Sequence, residues 1–351
     1  MLEFQMEHHF STDYGEWGSA PRGPLIRCDR AHQGELMDSV IGPDVTTGKP
    51  MVYHILRCEL CIAIHAWPLP KPAALAQYYA ESFYQVEKPD YVERYERDRT
   101  WWEQCVYGPI LVQCEDSLGR DGLKEEIRFL DIGAGPGIGL DVALQRFGWQ
   151  TWGIEPHKGL CQSLASRDHV MLQGTLESNF PLTALAYGEA WPDPWDILMV
   201  YEVLEHQICP DDFLSRCYDL LRGNGLLVIV VPNDYSPIQL AAQAKLGLPS
   251  YWLAPPQHLF YWTPKTLQLC VRRAGFQILD MRGTFPLDKF LLQGYNYVGH
   301  DDVGRLVHAW RMQDELHAVE HGQWAQREQE YRHNLTQRIG REIVCIARKL
   351  A

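Results

Sequence analysis

The stretch FLDIGAGPGIG at residues 129–139 decides the fold of this chain. An apolar strand pattern here ends in an acidic residue, and glycines follow it at alternate positions. These residues are Asp131, Gly133, Gly135 and Gly137. Such glycines let the backbone turn sharply and approach a ligand, because no side chain blocks the approach. A helix that begins near Gly139 then points its N-terminal N–H groups at that ligand, so the stretch predicts a strand, a ligand-binding turn and a helix.

The residues around this turn continue the same pattern. From about residue 126 onward, apolar runs alternate with helical patterns, which is typical of βαβ units around a parallel sheet. The predicted strands are 127–133, 150–156, 195–202, 225–233, 276–283 and 342–349, and the predicted helices lie near 139–147, 157–166, 211–222 and 264–274. A stretch at about 284–341 interrupts the alternation, and we interpret it as a helix pair inserted before the last strand.

The first part of the chain differs from this α/β region. Residues 1–70 are rich in glycine and proline and contain one good strand candidate, at 51–58. Residues 71–125 have helical and strongly aromatic patterns. We therefore divide the chain into a small N-terminal module (1–70), a helical linker or lid (71–125) and an α/β domain (126–351).

Composition excludes several classes of protein. The 351 residues include 32 Lys+Arg and 45 Asp+Glu, a formal charge of −13. This charge disfavours binding to nucleic acid or to anionic membranes, which attract basic surfaces. No apolar run approaches the roughly 18–20 residues of a membrane span, and the N-terminus lacks the pattern of a signal peptide. We expect a cytoplasmic protein whose ten cysteines are buried thiols or metal ligands rather than disulfides.

The glycine spacing separates two kinds of nucleotide-binding fold. The dinucleotide pattern G-x-G-x-x-G fails, because its sixth position is Ile138 when counted from Gly133 and Leu140 when counted from Gly135. The pattern acid-x-G-x-G-x-G, led by Asp131, resembles motif I of the class I S-adenosylmethionine-dependent methyltransferases. The second predicted strand also ends in an acid, Glu155, and a carboxylate at that strand tip can accept both hydroxyls of a ribose.

Two further stretches extend the resemblance. WDILMVYEVLEH (195–206) resembles the family's fourth-strand motif, with its Glu-His pair. HLFYWTPKTLQLCVRRAGF (258–276) resembles a segment of the subgroup that carries an N-terminal zinc-binding module. The resemblance implies a seven-stranded Rossmann-like sheet and S-adenosylmethionine as cofactor. The cofactor residues that it implies are Asp131, Gly133, Gly135, Gly137 and Glu155, with Gly174 and Thr175 beside the adenine and Tyr84 in a segment over the methionine end.

Methyl transfer is an in-line displacement, so most of the rate comes from holding the acceptor in line with the methyl group. A base assists when the acceptor is a hydroxyl or an amine. Three candidates follow the predicted strands: Glu202, His206 and His258. His206 is the first choice, because the resembling subgroup has a histidine there beside the sulfonium. The competing interpretation is a histidine that packs or caps at the start of a helix.

The N-terminal cysteines suggest a structural metal. Cys58-x-x-Cys61 follows a strand, and Cys28-x-x-x-His32 lies upstream, as in a small zinc ribbon with four tetrahedral ligands. The resembling subgroup has Cys-x-x-Cys in both knuckles, whereas Ala31 stands in the first knuckle of this chain. The fourth ligand is then His32, His54 or His65. The alternative is a metal-free ribbon that packs its thiols as small apolar groups.

These observations predict a methyltransferase that acts on a small molecule. The resemblance favours sugars, glycoconjugate precursors or natural-product scaffolds, and it leaves open whether oxygen, nitrogen or carbon is methylated. The insert at 284–341 shapes either the acceptor pocket or the surface of a homodimer. The rival hypotheses are a catalytically inactive scaffold with the same fold and a nicotinamide oxidoreductase, which the glycine spacing disfavours.

Overall fold

The structure is a computed structural model that describes residues 25–27, 33–58, 63–119, 127–179 and 194–350. Its strands are β1 Leu25–Arg27, β2 Gln33–Pro43, β3 Pro50–Cys58, β4 Ala63–Trp67, β5 Arg128–Ile132, β6 Gln150–Glu155, β7 Val170–Gln173, β8 Trp195–Tyr201, β9 Leu221–Pro232, β10 Phe260–Tyr261, β11 Phe276–Gly283 and β12 Glu342–Lys349. Its α-helices are α1 Pro72–Gln77, α2 Tyr91–Arg97, α3 Arg99–Trp101, α4 Gly108–Leu118, α5 Ile138–Phe147, α6 Lys158–Ala165, α7 Leu176–Asn179, α8 Pro210–Leu220, α9 Pro237–Leu246, α10 Pro264–Arg273, α11 Lys289–Leu292, α12 Asp301–Glu320 and α13 Trp324–Thr336. π-Helical stretches at Tyr78–Glu87 and Trp102–Tyr107 and a 3₁₀ turn at Leu204–His206 complete the list.

The larger sheet confirms the predicted α/β fold with seven strands. Its strand order is β11-β12-β9-β8-β5-β6-β7. The five strands β5 to β9 pair parallel with one another. The strand β12 pairs antiparallel with both β9 and β11. Sequence analysis did not identify β7, which has only four residues.

Burial of both faces explains the continuous apolar strands. Along β8, Ile197 and Met199 pack in one core cluster with residues of α4 and α5, whereas Leu198 and Val200 pack in another with residues of α8. Successive side chains of a strand point to opposite faces, so a strand covered by helices on both sides must be apolar throughout. The sequence pattern of β8 is therefore the direct consequence of its central position.

The strand order creates a crevice. After β5 the chain continues to β6 and β7 on one side, and then returns to β8 on the other side of β5. In open α/β sheets, ligands bind at the carboxyl ends of the strands where the order reverses in this way. The ends of β5 and β8 are consequently the place to look for a binding site.

The smaller sheet joins the N-terminal region to the α/β domain. Strands β1 to β4 form an antiparallel sheet whose fifth strand is β10, which pairs with β4. Four residues of the N-terminal strands pack against three residues of the α/β domain; these are Tyr53, Ile55, Ile64 and Ala66 against Tyr235, Trp252 and Tyr261. The boundary predicted at residue 70 therefore does not separate two independent sheets.

Of the four predicted zinc ligands, Cys58 lies in the described part of the chain. Cys58 is buried at the end of β3, where it pairs with Ala63 across the hairpin. Cys28, His32 and Cys61 lie outside the described residues. Of the alternative ligands, His54 hydrogen-bonds through Nδ1 to the Ser39 hydroxyl, and the Nδ1 atom of His65 hydrogen-bonds to the Ala66 carbonyl oxygen.

The segment 284–341 contains α11, α12 and α13, between β11 and β12. The indole Nε1 of Trp101 donates a hydrogen bond of 2.9 Å to Glu315 of α12, which connects this segment to the helical region before β5. In the part of the chain that the structure describes, no helix has both the length and the hydrophobicity required to cross a bilayer.

The packing of the smaller sheet predicts that shortening a side chain on β4 costs more stability than shortening one on β3. Ile64 is fully buried in the cluster that joins the two sheets, whereas Val52 is half-exposed on β3. Ile64→Ala should lower the free energy of unfolding in urea by about 2–5 kcal/mol, because it removes packed methyl groups and leaves a cavity. The control Val52→Ala should change it by no more than about 0.5 kcal/mol. Equal losses in the two variants would contradict this packing.

Candidate active site

A single cavity of about 1390 Å³ lies over the carboxyl ends of β5, β6, β8 and β9. Its lining includes residues that follow these strands: Gly133 and Gly135, Glu155, Glu202 and Asp234. Pockets for one drug-sized ligand have volumes of roughly 300–1,000 Å³. This cavity therefore has room for two small molecules side by side.

The glycine-rich turn forms one wall of the cavity. Gly133 and Gly135 have φ of +81° and +52°, in the left-handed region. A Cβ at Gly135 would lie 3.9 Å from the hydroxyl oxygen of Tyr84 and from Cε1 of Tyr91, two tyrosines that also line the cavity. By contrast, a Cβ at Gly137 would lie 2.0 Å from Cδ2 of Leu164, and Gly137 is not in the cavity lining. Gly137 is needed for packing against α6 rather than for approach to a ligand.

Glu155 holds the turn in place. The backbone N–H of Gly135 donates to its Oε2 at 3.0 Å, and the N–H of His157 donates to its Oε1 at 2.8 Å. Burial raises the pKa of Glu155 to about 7, although hydrogen bonds from these two amides and from the Tyr84 hydroxyl oppose the shift. The carboxyl thus lies at the cavity surface as part of a network that includes the glycine turn.

Asp131 does not reach the cavity. Its carboxyl is buried behind the turn, and its Oδ1 has no hydrogen-bond partner among the described residues. Burial, together with the charge of Glu155, raises the pKa of Asp131 to about 7. The structure therefore gives Asp131 no direct contact with the cavity, in contrast to the other acid of the predicted motif.

The remaining predicted cofactor residues lie in the lining. Gly174 and Thr175 line the cavity next to Glu155, and the N–H of Gly174 donates to the carbonyl oxygen of Glu155 at 3.0 Å. Opposite them is a wall that we call the aromatic segment, residues 78–107. It contributes Tyr79, Phe83, Tyr84, Tyr91, Tyr95 and Trp102 to the lining.

The three predicted catalytic residues all line the same cavity. They lie on the β8 side of the sheet, whereas Gly174 follows β7 at its edge. Glu202 follows β8 with φ of +51°, a conformation that costs a non-glycine residue about 1–3 kcal/mol and is typical of functional sites. Burial and the charge of Glu342 raise the pKa of Glu202 to about 7. Its carboxyl is therefore close to the balance between its two protonation states at neutral pH.

The imidazole ring of His206 is held by hydrogen bonds to neighbouring residues. Its Nδ1 hydrogen-bonds to the carbonyl oxygen of Gln257 and to the Tyr79 hydroxyl, which itself donates to the same carbonyl. Because a carbonyl oxygen only accepts, the contact to Gln257 favours a proton on Nδ1. A second backbone hydrogen bond, to Glu202, also engages the ring. Burial lowers the pKa of His206 to about 4, so the ring is neutral at physiological pH.

His258 completes the cluster. Its ring lies 5.1 Å from the ring of His206, centroid to centroid, and its Nδ1 has no hydrogen-bond partner among the described residues. Burial and the neighbouring His206 lower its pKa well below the ordinary value. Both histidines are therefore present as neutral imidazoles.

Two buried carboxyls belong to this end of the cavity although they were not predicted as site residues. Glu205 is 0% exposed, and neither of its oxygens has a hydrogen-bond partner among the described residues. Its Oε1 lies 3.8 Å from Nε2 of His206, and one ligand atom from each of Glu205, His206 and His258 lies within 4.8 Å of the others. Such a set has the donor types of a site for a divalent cation. The Glu-His pair was a visible signal for Glu205.

Asp234 is the second unpredicted carboxyl. It lies after β9, its Oδ2 has no hydrogen-bond partner among the described residues, and burial raises its pKa to about 8. The sequence VVPND shows no motif that would have identified it. Only the fold brings it to the cavity.

Comparison with known proteins agrees with this geometry. The model of a family described as a methyltransferase domain matches residues 112–280. Ubiquinone biosynthesis O-methyltransferase from Caulobacter sp. (strain K31) is 29% identical over 172 residues, which are 48% of this chain and 66% of that protein. The protein of the same name from Caulobacter vibrioides is 29% identical over 187 residues, which are 52% of this chain and 72% of that protein.

Among solved structures, a SAM-dependent methyltransferase from Archaeoglobus fulgidus is 16% identical, with a TM-score of 0.42 and coverage of 69% of this chain and 94% of that one. The family match includes the glycine-rich turn, Glu155 and β5 to β10. The matched residues include Gly133, Gly135, Glu155, Gly174 and Thr175 and the two histidines His206 and His258, but not Tyr84. The family match and the two named relatives support an S-adenosylmethionine-dependent methyltransferase enzyme of class I.

Proposed function

We propose that the enzyme transfers the methyl group of S-adenosylmethionine to a small molecule such as a sugar, a glycoconjugate precursor or a natural-product scaffold. The observation that carries the proposal is that one cavity contains the glycine turn with Glu155 at one end and Glu202, His206 and His258 at the other. The names of the relatives, ubiquinone biosynthesis O-methyltransferases, support a hydroxyl group as the acceptor.

In this proposal the cofactor occupies the end of the cavity formed by Gly133, Gly135, Glu155, Gly174 and Thr175. Gly135 has no side chain to block close approach, and Glu155 provides carboxyl oxygens for the ribose hydroxyls. The Tyr84 hydroxyl already hydrogen-bonds to Glu155, so this tyrosine is placed to cover the bound cofactor. When bound, the cofactor would supply a methyl group from its sulfonium, and His206 lines the same cavity.

In the same proposal His206 acts as the general base. The proposal assigns the ring proton to Nδ1, where Gln257 and Tyr79 hold the ring, and assigns proton acceptance to Nε2. The base removes a proton from the acceptor while the methyl group is transferred, so that a neutral methylated product and S-adenosylhomocysteine are formed. Burial keeps the imidazole unprotonated at neutral pH and also lowers its basicity.

A structural zinc ion is a separate proposal for the N-terminal sheet. The supporting observations are the Cys-x-x-Cys spacing and the buried position of Cys58 at the end of β3. Cys28, His32, Cys58 and Cys61 are the proposed ligands, and they would stabilise the hairpin without entering the chemistry.

Metal analysis of the purified protein tests the zinc proposal. We expect one zinc per chain in the wild type and its loss in Cys58→Ser. Cys114→Ser, which alters another buried cysteine in α4, is the matched control and should retain the metal. A wild-type protein without zinc would disprove the proposal.

The glycine turn provides a test of the cofactor end. Gly135→Ala should weaken binding of S-adenosylmethionine at least about tenfold in calorimetric titration, because the methyl group enters the space needed by the ligand. Gly148→Ala is the matched control: this glycine also has a left-handed φ, +69°, and open space around it, but lies outside the cavity lining. Both variants should lose about 1–2 kcal/mol of stability from backbone strain. Equal affinities in the two variants would remove Gly135 from the site.

Substitution of the base tests the acceptor end. His206→Gln should lower the rate of S-adenosylhomocysteine formation with a panel of hydroxylated acceptors by about 10²–10⁴-fold, the usual contribution of a general base. The affinity for S-adenosylmethionine should stay within about twofold, because the imidazole acts only on the acceptor in this scheme. His333→Gln, an exposed histidine of α13, is the control. Full activity of His206→Gln would show that another group is the base.

A further inference from the structure

One buried carboxylate outside the cavity is hydrogen-bonded by side chains from other parts of the chain. Asp141, in the first turn of α5, is 3% exposed. Its Oδ2 accepts a hydrogen bond of 3.0 Å from Nη1 of Arg99 and another from Arg167, and its Oδ1 lies 2.9 Å from Nε2 of His169. Neither Asp141 nor these three partners are part of the cavity lining.

Two of these partners connect Asp141 to the cofactor end of the site. The Nη2 atom of Arg167 donates to the carbonyl oxygen of Pro136, inside the glycine-rich turn. His169 reaches β6 through its other nitrogen, which lies 2.8 Å from the hydroxyl oxygen of Thr151. Because Asp141 binds both side chains, it fixes the turn relative to the sheet.

The third partner connects Asp141 to the opposite wall. Arg99 belongs to the aromatic segment and lies between Tyr95 and Trp102 in sequence. The rings of these two residues stack with centroids 4.4 Å apart, and both line the cavity. Arg99 also forms ion pairs with Glu96 and Glu103 of its own segment. The Arg99–Asp141 pair is therefore a direct tie between the aromatic wall and the helix that follows the glycine turn.

The tie is electrostatic, and its carboxylate is buried whereas Arg99 is partly exposed. Burial alone would raise the pKa of Asp141, but the hydrogen bond from His169 and the charge of Arg167 lower it below its ordinary value. The side chain is thus a carboxylate at neutral pH, and both of its oxygens are engaged. Hydrogen bonds between charged groups are about twice as strong as neutral ones, and removal of one partner of a buried pair leaves an uncompensated charge.

We propose that Asp141 is a positioning residue that couples the aromatic segment to the glycine-rich turn, so that cofactor affinity depends on a contact outside the cavity. The inference rests on the proposed cofactor site between these two walls. Since coupling is reciprocal, a bound cofactor must in turn stabilise the aromatic segment. The chain thereby assembles both walls of the cofactor site through one carboxylate.

The test combines calorimetric titration with S-adenosylhomocysteine and hydrogen exchange over residues 78–107. Arg99→Gln removes the tie and leaves Asp141 paired with Arg167 and His169. We expect its Kd to rise about tenfold, which corresponds to about 1.4 kcal/mol. We also expect faster exchange in the aromatic segment, and a smaller slowing of that exchange by the ligand than in the wild type.

A matched control separates the tie from the other contacts of the same arginine. Glu96→Gln breaks an ion pair of Arg99 but spares its bond to Asp141, so Kd and exchange should remain within about twofold of the wild type. Arg99→Lys keeps the charge with less of the hydrogen-bonding geometry and should give an intermediate Kd. It also serves as the folded test variant if Arg99→Gln does not fold.

Several outcomes would overturn the inference. One is a wild-type Kd and wild-type exchange in the Arg99 variants. Another is a lower unfolding midpoint with an unchanged Kd, which indicates a purely structural ion pair. If the wild type itself fails to bind S-adenosylhomocysteine, the proposed cofactor site is wrong. In that case the hydrogen-exchange rate of the aromatic segment, measured without ligand, tests the tie separately. The same rate in Arg99→Gln as in the wild type would disprove it.

Discussion

The hydrogen bonds that Glu155 accepts from the N–H groups of Gly135 and His157 are the constraint on which the site depends. They connect the end of β6 to the turn after β5 and so set the spacing between two neighbouring strand ends. The carboxyl is buried, and each bond compensates part of its desolvation. A ligand at this place meets a backbone and a carboxyl whose relative position is already determined, which reduces the ordering that binding requires.

Burial has the opposite effect on protonation at the two kinds of group in the cavity. It raises the pKa of the carboxyls Glu202 and Asp234 and lowers that of the histidine His206, because the charged form is disfavoured in each case. The result is a pocket that can exchange protons near neutral pH and contains an unprotonated imidazole. Enzymes use such shifts to match an acid or a base to its task.

Local patterns predicted the parts of the site that lie on consecutive residues. The glycines after β5, Glu155 at the end of β6 and the Glu-His pair after β8 were all visible, because each follows an apolar strand. Other residues depend on contacts between distant segments. Asp131 and Gly137 were predicted at the cofactor, but one is buried behind the turn and the other packs on α6. Asp234 and the strand β10 had no local signal at all.

The sequence by itself determined the α/β fold and the glycine turn that lines the cavity, because apolar periodicity and glycine spacing act over a few residues. The tertiary structure decided which polar groups share the cavity. His206 and His258 are far apart in the chain and meet because the loop before β10 binds the turn after β8, where the N–H of Leu259 donates to the carbonyl oxygen of Glu205. Arg99 reaches Asp141 only when the aromatic segment packs on α5. Contacts of this kind follow from long-range packing, which no local pattern encodes.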